Sequence, residues 1–215
     1  MKKPTILFDL DGTLIDSTQS ILDGFKFAFL ENNIKYPCDE FVKNLIGYPL
    51  EIMFKNLGVK ADQIDELVKS YKKRYRTTYL EKTTLLPEAE KSILMAYEFA
   101  DIGVVTTKTS KYSRVLLENL GIAYYFKVII GRDDVVNPKP DAEPILKALK
   151  NMQKDRLQAY MIGDTKLDAL AALSAKIQPI CVTCGYGKKE DLLKHTNQVF
   201  DKTIDAVQFI KKELN

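Results

Sequence analysis

Short apolar runs recur along the chain, and most of them end in polar or glycine-containing turns. The runs are rich in Ile, Val, Leu and Phe, and they lack the strict apolar–polar alternation of a strand with one face in water. Segments with helical spacing of apolar residues separate most of them. This alternation predicts a doubly wound α/β fold with a parallel sheet buried on both faces. The predicted strands are 5–8, 102–105, 127–130, 159–162 and 178–182.

The stretch from Ser17 to about Thr84 interrupts this alternation, because it contains helical patterns and no predicted strand. Ser17 is a plausible N-cap for the first helix, and two further helices are predicted near 49–57 and from about 61 to 80. An all-helical block between the first strand and the rest of the sheet indicates an inserted cap domain. The predicted domains are an α/β catalytic core, 1–15 and 86–215, and a helical cap, 16–85.

Length and composition are those of an ordinary globular protein. The chain has 215 residues, of which 46% are hydrophobic and 28% charged, and 32 basic against 29 acidic side chains leave a formal net charge of +3. This balance does not favour a nucleic-acid partner. No apolar stretch approaches the ~20 residues of a membrane span, and the N-terminus lacks the apolar core of a secretory signal. We expect a cytoplasmic protein without a membrane partner; whether it is a monomer or a homodimer stays open.

The first candidate site follows the first predicted strand, in the segment Asp9-Leu10-Asp11-Gly12-Thr13. Extended backbone places the carboxylates of Asp9 and Asp11 on one face, at the carboxyl end of a strand, where open α/β sheets bind ligands. Two carboxylates this close repel each other unless a cation or a proton lies between them. Gly12 permits a tight turn and a close approach of the backbone to a ligand. We therefore interpret the pair as functional rather than as solvated acids at a strand end.

A second pair of acids, Asp164 and Asp168, follows another predicted strand and opens a helix. Their spacing of four residues puts both on the same side of the first helical turn. Asp164 is also a candidate N-cap, and the sequence does not separate capping from metal binding. Three or four converging carboxylates, without Cys or His, suit a hard cation, most simply Mg²⁺.

Two further segments supply groups for a phosphate pocket. Thr106 and Thr107 follow the second core strand, where Thr106 can offer its hydroxyl and backbone N–H groups. Lys139 lies between Pro138 and Pro140, which restrict the backbone around it. These restrictions distinguish Lys139 from the many lysines expected on the surface.

The ordered set of these motifs resembles the haloacid dehalogenase superfamily of phosphohydrolases over nearly the whole chain. The resemblance is closest to its phosphoglycolate phosphatase branch, which usually has Asn where Thr107 stands and an aromatic residue where Cys184 stands. The segments that carry the resemblance to this branch are Asp11-Gly12-Thr13-Leu14-Ile15-Asp16-Ser17, Ile46-Gly47-Tyr48-Pro49 and Val182-Thr183-Cys184-Gly185-Tyr186-Gly187.

The resemblance implies a role for each candidate residue. Asp9 attacks phosphorus and forms an aspartyl-phosphate, and Asp11 protonates the leaving oxygen and then activates water. The ligands of Mg²⁺ are Asp9, Asp164 and the backbone carbonyl of Asp11, while Asp168 supports the metal site or the lysine. The transferred phosphoryl group is bound in a pocket formed by Gly12, Thr106, Thr107 and Lys139.

The resulting hypothesis is a Mg²⁺-dependent phosphatase of small phosphorylated metabolites, with phosphoglycolate as the first candidate substrate. The active site would lie between the core and the helical cap. Three alternatives stay open on the same scaffold: a sugar-phosphate mutase similar to β-phosphoglucomutase, a pyrophosphatase, and a protein that binds a phosphorylated ligand without turnover. The presence of all the acids, the Thr and the Lys disfavours the last of these.

Overall fold

The computed structural model describes residues 3–214, which form two compact units. One unit contains the chain up to Ile15 and again from Leu85 onward, and the other is Asp16–Thr84. The chain passes between them through two short strands, β2 (Ile15–Asp16) and β3 (Thr84–Leu85), which pair in a two-stranded sheet.

A six-stranded parallel sheet forms the centre of the larger unit. Its strands are almost wholly apolar and buried, as expected for a sheet covered on both faces. The strands are β1 (Thr5–Phe8), β4 (Asp101–Val105), β5 (Val128–Ile130), β6 (Ala159–Gly163), β7 (Gln178–Val182) and β8 (Val199–Phe200).

The strand order across the sheet is β5-β4-β1-β6-β7-β8. The chain adds β4 and β5 on one side of β1 and then adds β6, β7 and β8 on the other side, so the order reverses at β1. Phe8, the last residue of β1, pairs with Val104 of β4 on one side and with Ile162 of β6 on the other. In open α/β sheets such a reversal leaves a crevice beyond the carboxyl ends of the strands. The segments that follow β1, β4 and β6 therefore come together at one edge of the sheet.

Helices cover the sheet of the larger unit. Apolar residues of α7 and α8 pack on the face that contains Leu7, Val105 and Met161, while α5 and α10 contact each other and the strands β4 and β7. The helices are α5 (Ala89–Phe99), α6 (Ser110–Asn119), α7 (Glu143–Asn151), α8 (Lys166–Ala175), α9 (Lys189–Leu192) and α10 (Thr203–Glu213).

The smaller unit is helical, and its core is aromatic. The ring of Phe25 lies 4.7 Å from that of Phe54 and 5.0 Å from that of Tyr71, measured between centroids. Gly24 allows α1 to approach α4, because a Cβ atom there would overlap the Tyr71 ring. The helices are α1 (Thr18–Glu31), α2 (Asp39–Lys43), α3 (Leu50–Asn56) and α4 (Ile64–Thr78).

The structure confirms the predicted N-cap position of Ser17 and adds elements that the patterns did not indicate. Ser17 occupies the N-cap position of α1, but its side chain does not cap the helix; Asp16 Oδ1 accepts the Thr18 N–H at 2.9 Å instead. The helices α2, α9 and α10 and the short strands β2, β3 and β8 were not predicted. Over residues 3–214, no helix combines the length and the apolar character needed to cross a bilayer.

Candidate active site

Asp9 and Lys139 form a buried ion pair at the carboxyl end of β1. Lys139 Nζ lies 2.8 Å from Asp9 Oδ1 and also donates to the main-chain oxygen of Val105 at 3.0 Å. The two side chains are only 5% and 2% exposed, respectively. Lys139 precedes Pro140 through a cis peptide bond. Through its hydrogen bonds to Asp9 and to Val105 O, the lysine connects the ends of β1 and β4 within the site.

Asp168 is the second carboxylate bound by Lys139. Its Oδ1 atom lies 2.5 Å from Lys139 Nζ, and its Oδ2 atom accepts the N–H of Thr165 at 3.0 Å and the Thr165 hydroxyl at 2.7 Å. Gly163 permits this arrangement, because a Cβ atom there would overlap the Asp168 carboxylate. Both oxygens of Asp168 are thus engaged in holding the lysine and the start of α8.

Asp164 is fully buried and is held by hydrogen bonds to both carboxylate oxygens. The Thr13 hydroxyl donates to Oδ1 at 2.9 Å, and the backbone N–H of Tyr186 donates to Oδ2 at 2.8 Å. The N-cap position of α8 belongs to Thr165, so the N-cap alternative for Asp164 is wrong. Asp164 is therefore aimed into the site rather than at the helix.

Glycines bring the backbone close to the Asp164 carboxylate. A Cβ atom at Gly12 or at Gly185 would overlap that carboxylate, and Gly12 has a φ of +84°, which favours glycine. The loop after β7, which contains Gly185 and Tyr186, therefore packs directly on the acid that follows β6.

Asp11 faces a different lysine. Its Oδ2 atom lies 3.2 Å from Lys108 Nζ, and the two side chains are 12% and 9% exposed. The two aspartates that follow β1 are thus paired separately, Asp9 with Lys139 and Asp11 with Lys108. No role was predicted for Lys108 from the sequence.

Thr106 is buried at the end of β4, in the same part of the site. Its backbone N–H donates to Ile130 O at 2.9 Å within the sheet, so of the two donors predicted for Thr106 only the hydroxyl remains for a ligand. The hydroxyl oxygen accepts the backbone N–H of Lys108 at 3.1 Å. Thr107, next in the chain, is partly exposed.

Burial and mutual repulsion shift the pKa values of these groups. Burial raises the pKa of Asp9 to about 7, although the nearby charge of Lys139 acts in the opposite direction. Burial, with the charges of Asp9 and Asp168, raises the pKa of Asp164 well above its usual value. Burial disfavours the charged form of Lys139, but the charges of Asp168 and Asp9 outweigh it and raise the pKa of the lysine.

The buried acidic cluster fits a divalent cation. Carboxylate oxygens of Asp9, Asp164 and Asp168 lie within 4.8 Å of one another, and Lys139 supplies a single positive charge to the three. A raised carboxyl pKa in this setting indicates that the site favours added positive charge. Lys139 pairs with Asp9 and Asp168, whereas Asp164 accepts hydrogen bonds from two neutral groups, the Thr13 hydroxyl and the Tyr186 N–H. An all-oxygen donor set suits Mg²⁺.

Sequence reasoning assigned no role to three groups in this site: the Thr13 hydroxyl, the Tyr186 backbone N–H and Lys108. For Thr13, the available signal was its place in the first motif, which also contains Asp9 and Asp11. Tyr186 acts through its backbone, which side-chain identity does not reveal. Lys108 could be found only once the end of β4 was known to lie beside the end of β1.

Comparison with known proteins agrees with this geometry. A family model described as haloacid dehalogenase-like hydrolase matches residues 6–182. The solved structure of a haloacid dehalogenase-like family hydrolase from Streptococcus pneumoniae superposes with a TM-score of 0.88 at 30% sequence identity, covering 96% of this chain and 98% of that one.

Relatives of similar length have phosphatase names. The pyrophosphatase PpaX of Bacillus velezensis is 32% identical over 178 residues, covering 79% of this chain and 78% of the relative. The phosphoglycolate phosphatase of Photorhabdus laumondii is 28% identical over 194 residues, covering 87% and 83%. The chain therefore belongs to the haloacid dehalogenase-like hydrolases and is a phosphatase of that family.

Proposed function

We propose that the protein is a Mg²⁺-dependent phosphatase that hydrolyses small phosphate monoesters through an aspartyl-phosphate on Asp9. The observation that carries the proposal is the buried Asp9–Lys139 pair, with Asp11 held separately two residues along the chain. A carboxylate with a lysine beside it can approach an anionic phosphate, because the lysine offsets the repulsion between them.

In the first step, an Asp9 carboxylate oxygen attacks phosphorus, and the bond between phosphorus and the ester oxygen breaks. Asp11 donates its proton to the departing oxygen, so that an alcohol leaves rather than an alkoxide. Lys139 and the Thr106 hydroxyl bind the phosphoryl oxygens and offset their charge. Lys139 also orients Asp9 through the hydrogen bond to Oδ1.

In the second step, water attacks the phosphorus atom of the aspartyl-phosphate. Asp11, now ionised, accepts the proton of that water, and the bond from phosphorus to the Asp9 oxygen breaks. Inorganic phosphate is released, and both aspartates return to their initial states.

Mg²⁺ would be held by the carboxylates of Asp9 and Asp164 and by the backbone carbonyl of Asp11. When bound, it would neutralise charge on the nucleophile and on the phosphoryl group. Thr13 and the Tyr186 N–H fix the orientation of Asp164, and Asp168 positions Lys139. Supporting hydrogen bonds of this kind hold metal ligands in a productive geometry.

The helical unit, 16–85 in the predicted division, is proposed to be a cap that closes over the substrate and excludes water. Such a cap would limit substrates to small molecules. Phosphoglycolate is the first candidate substrate and pyrophosphate is the second. The relative named pyrophosphatase is 32% identical to this chain, and the relative named phosphoglycolate phosphatase is 28% identical.

Phosphate release from a panel of small phosphate compounds, measured with Mg²⁺ and with EDTA, tests the proposal. The panel contains phosphoglycolate, pyrophosphate, nucleoside monophosphates and hexose phosphates. We expect release that requires Mg²⁺ and stops in EDTA. Release that is unaffected by EDTA would contradict the metal requirement, and isomerisation of a hexose phosphate without release would favour the mutase.

A further inference from the structure

Lys108 is a second lysine at the site, largely shielded from solvent, and the proposed reaction assigns it no role. Its side chain is only 9% exposed, and Nζ lies 3.2 Å from Asp11 Oδ2. This is longer than the two contacts of Lys139 with carboxylate oxygens, at 2.8 and 2.5 Å. An ammonium group buried to this extent is costly unless an anionic partner remains close.

The backbone of Lys108 is held by hydrogen bonds from its N–H and to its carbonyl oxygen. The Lys108 N–H donates to Thr106 Oγ1 at 3.1 Å, and Lys108 O accepts the N–H of Arg132 at 2.9 Å. Gly131 makes room for this segment, because a Cβ atom there would overlap the backbone of Ser110 and of Lys108. Lys108 therefore extends toward Asp11 from the segment between β4 and α6, whose backbone is held in place.

The position of Lys108 is on the leaving-group side of the site. The proposed acid, Asp11, must come within about 2.6–3.2 Å of the departing oxygen. Lys108 contacts the same carboxyl group, so its ammonium lies near the atoms attached to that oxygen. Lys139, by contrast, contacts the nucleophile Asp9. Lys139 thus lies beside the proposed nucleophile, and Lys108 lies beside the proposed acid.

We propose that Lys108 binds a second anionic group of the substrate, carried by the leaving group. The preferred substrates are then phosphate compounds with a carboxylate or a second phosphate one or two atoms beyond the scissile oxygen. This inference rests on the proposed function and deepens it. A leaving group with a nearby anion can pair with the Lys108 ammonium, which lies 3.2 Å from Asp11 Oδ2 in this structure, whereas a neutral leaving group cannot.

Matched pairs of compounds test the proposal. Phosphoglycolate and ethyl phosphate have leaving groups of similar size that differ in the terminal charge, and pyrophosphate is compared with methyl phosphate. For Lys108→Met we expect kcat/KM to fall about tenfold or more for the anionic member of each pair, which is about 1.4 kcal/mol. The neutral member should change by much less. Lys108→Arg should retain the preference, and Lys111→Met, an exposed lysine three residues on, should behave as the wild type.

An equal loss for both members of a pair would overturn the proposal, because Lys108 would then act only by positioning Asp11. No loss for either member would also overturn it.

A binding measurement separates this inference from the proposed function. Asp9→Asn removes the proposed nucleophile, and the two esters are titrated calorimetrically into this variant and into Asp9→Asn/Lys108→Met, both in Mg²⁺. We expect tighter binding of phosphoglycolate than of ethyl phosphate, and loss of that difference when Lys108 is replaced. This result supports Lys108 even if turnover in the wild type fails. Equal binding of the two esters by Asp9→Asn, or binding of neither, would overturn the proposal.

Discussion

Lys139 Nζ lies 2.8 Å from Asp9 Oδ1, although 130 residues separate the two in the chain. The fold brings them together because the strands are parallel, so Asp9, after β1, and the segment after β5 that contains Lys139 lie at the same edge of the sheet, and Lys139 Nζ also bonds to Val105 O at the end of β4. The same lysine contacts Asp168 at 2.5 Å. One cation therefore orients the proposed nucleophile and connects it to the start of α8.

Replacement of Asp9 by Asn should abolish turnover and leave the fold intact. The amide cannot form the acyl-phosphate, and we expect kcat to fall at least about 10³-fold, as for other nucleophile replacements. Steady-state phosphate release and circular dichroism measure the two effects. The control is Asp201→Asn, at a side chain that is 81% exposed. Substantial activity in Asp9→Asn would exclude the covalent mechanism.

Replacement of Lys139 by Met should lower both activity and stability. Asp9 and Asp168 would lose their shared cation in a buried setting, which costs about 3–5 kcal/mol when one partner of a buried pair is removed. Urea unfolding at neutral pH measures the stability, and phosphate release measures the activity. Lys127→Met is the control, because Lys127 is half-exposed and pairs with Asp101 at the opposite ends of the strands. Unchanged kinetics in Lys139→Met would show that the lysine has no role in the reaction.

Replacement of Thr13 by Val should weaken Mg²⁺ binding. Thr13 is fully buried, and its hydroxyl donates to Asp164 Oδ1, so Val keeps the shape and removes one support of the proposed metal ligand. We expect the Mg²⁺ concentration for half-maximal stabilisation in thermal melting to rise about tenfold. Thr13→Ser retains the hydroxyl and should restore most of the affinity. Equal Mg²⁺ affinity in Thr13→Val and the wild type would contradict this role.

In the metal-free protein, the contribution of Asp9 to the free energy of unfolding should fall as the pH rises. Burial raises the pKa of Asp9 from 3.8 to about 7, so between these values the folded protein holds a proton that the unfolded chain releases. The stabilising contribution is therefore complete below about pH 4 and is lost as the pH rises through about 7. In EDTA, the free energy of unfolding of the wild type relative to Asp9→Asn should fall across this interval.

Urea unfolding at several pH values measures this difference, and Asp201→Asn should differ from the wild type by a constant amount. Added Mg²⁺ should diminish the fall, because a bound cation favours the ionised carboxylate. A wild-type stability that rises relative to Asp9→Asn between pH 4 and 7 would show that Asp9 is not protonated in the folded protein.

Much of the fold could be predicted from the sequence because buried parallel strands have a strong apolar signal. The strands 5–8 and 178–182 were predicted with the bounds that the structure has. The end of the chain was not predicted, because β8 has only two residues and partial burial, so its apolar signal is weak. Helix α10 follows β8 and was missed with it. The hydroxyl of Thr203, at the start of α10, donates to the main-chain oxygen of Thr13 at 2.7 Å.

The candidate site could be predicted as a set of side-chain types but not as a set of contacts. Carboxylates at strand ends indicated a cation and phosphate site, because strand ends of a parallel sheet converge. Which lysine faces which acid depends on how the loops after β4 and β5 pack, and Lys108 showed no distinguishing pattern in the sequence. The support of Asp164 by the Tyr186 backbone was equally out of reach, since a backbone N–H is the same in every residue but proline.

The most direct test of the account is to trap a phosphoryl group on Asp9. In Asp11→Asn the second step lacks its base, while p-nitrophenyl phosphate has a leaving group that departs without a proton. The variant is mixed with this substrate and Mg²⁺, quenched in acid, digested and examined by mass spectrometry. The account predicts that the peptide containing Asp9 gains one phosphoryl group, and that Asp9→Asn/Asp11→Asn gains none. Release of p-nitrophenol at the full molar amount of enzyme with no phosphoryl group on Asp9 would contradict it.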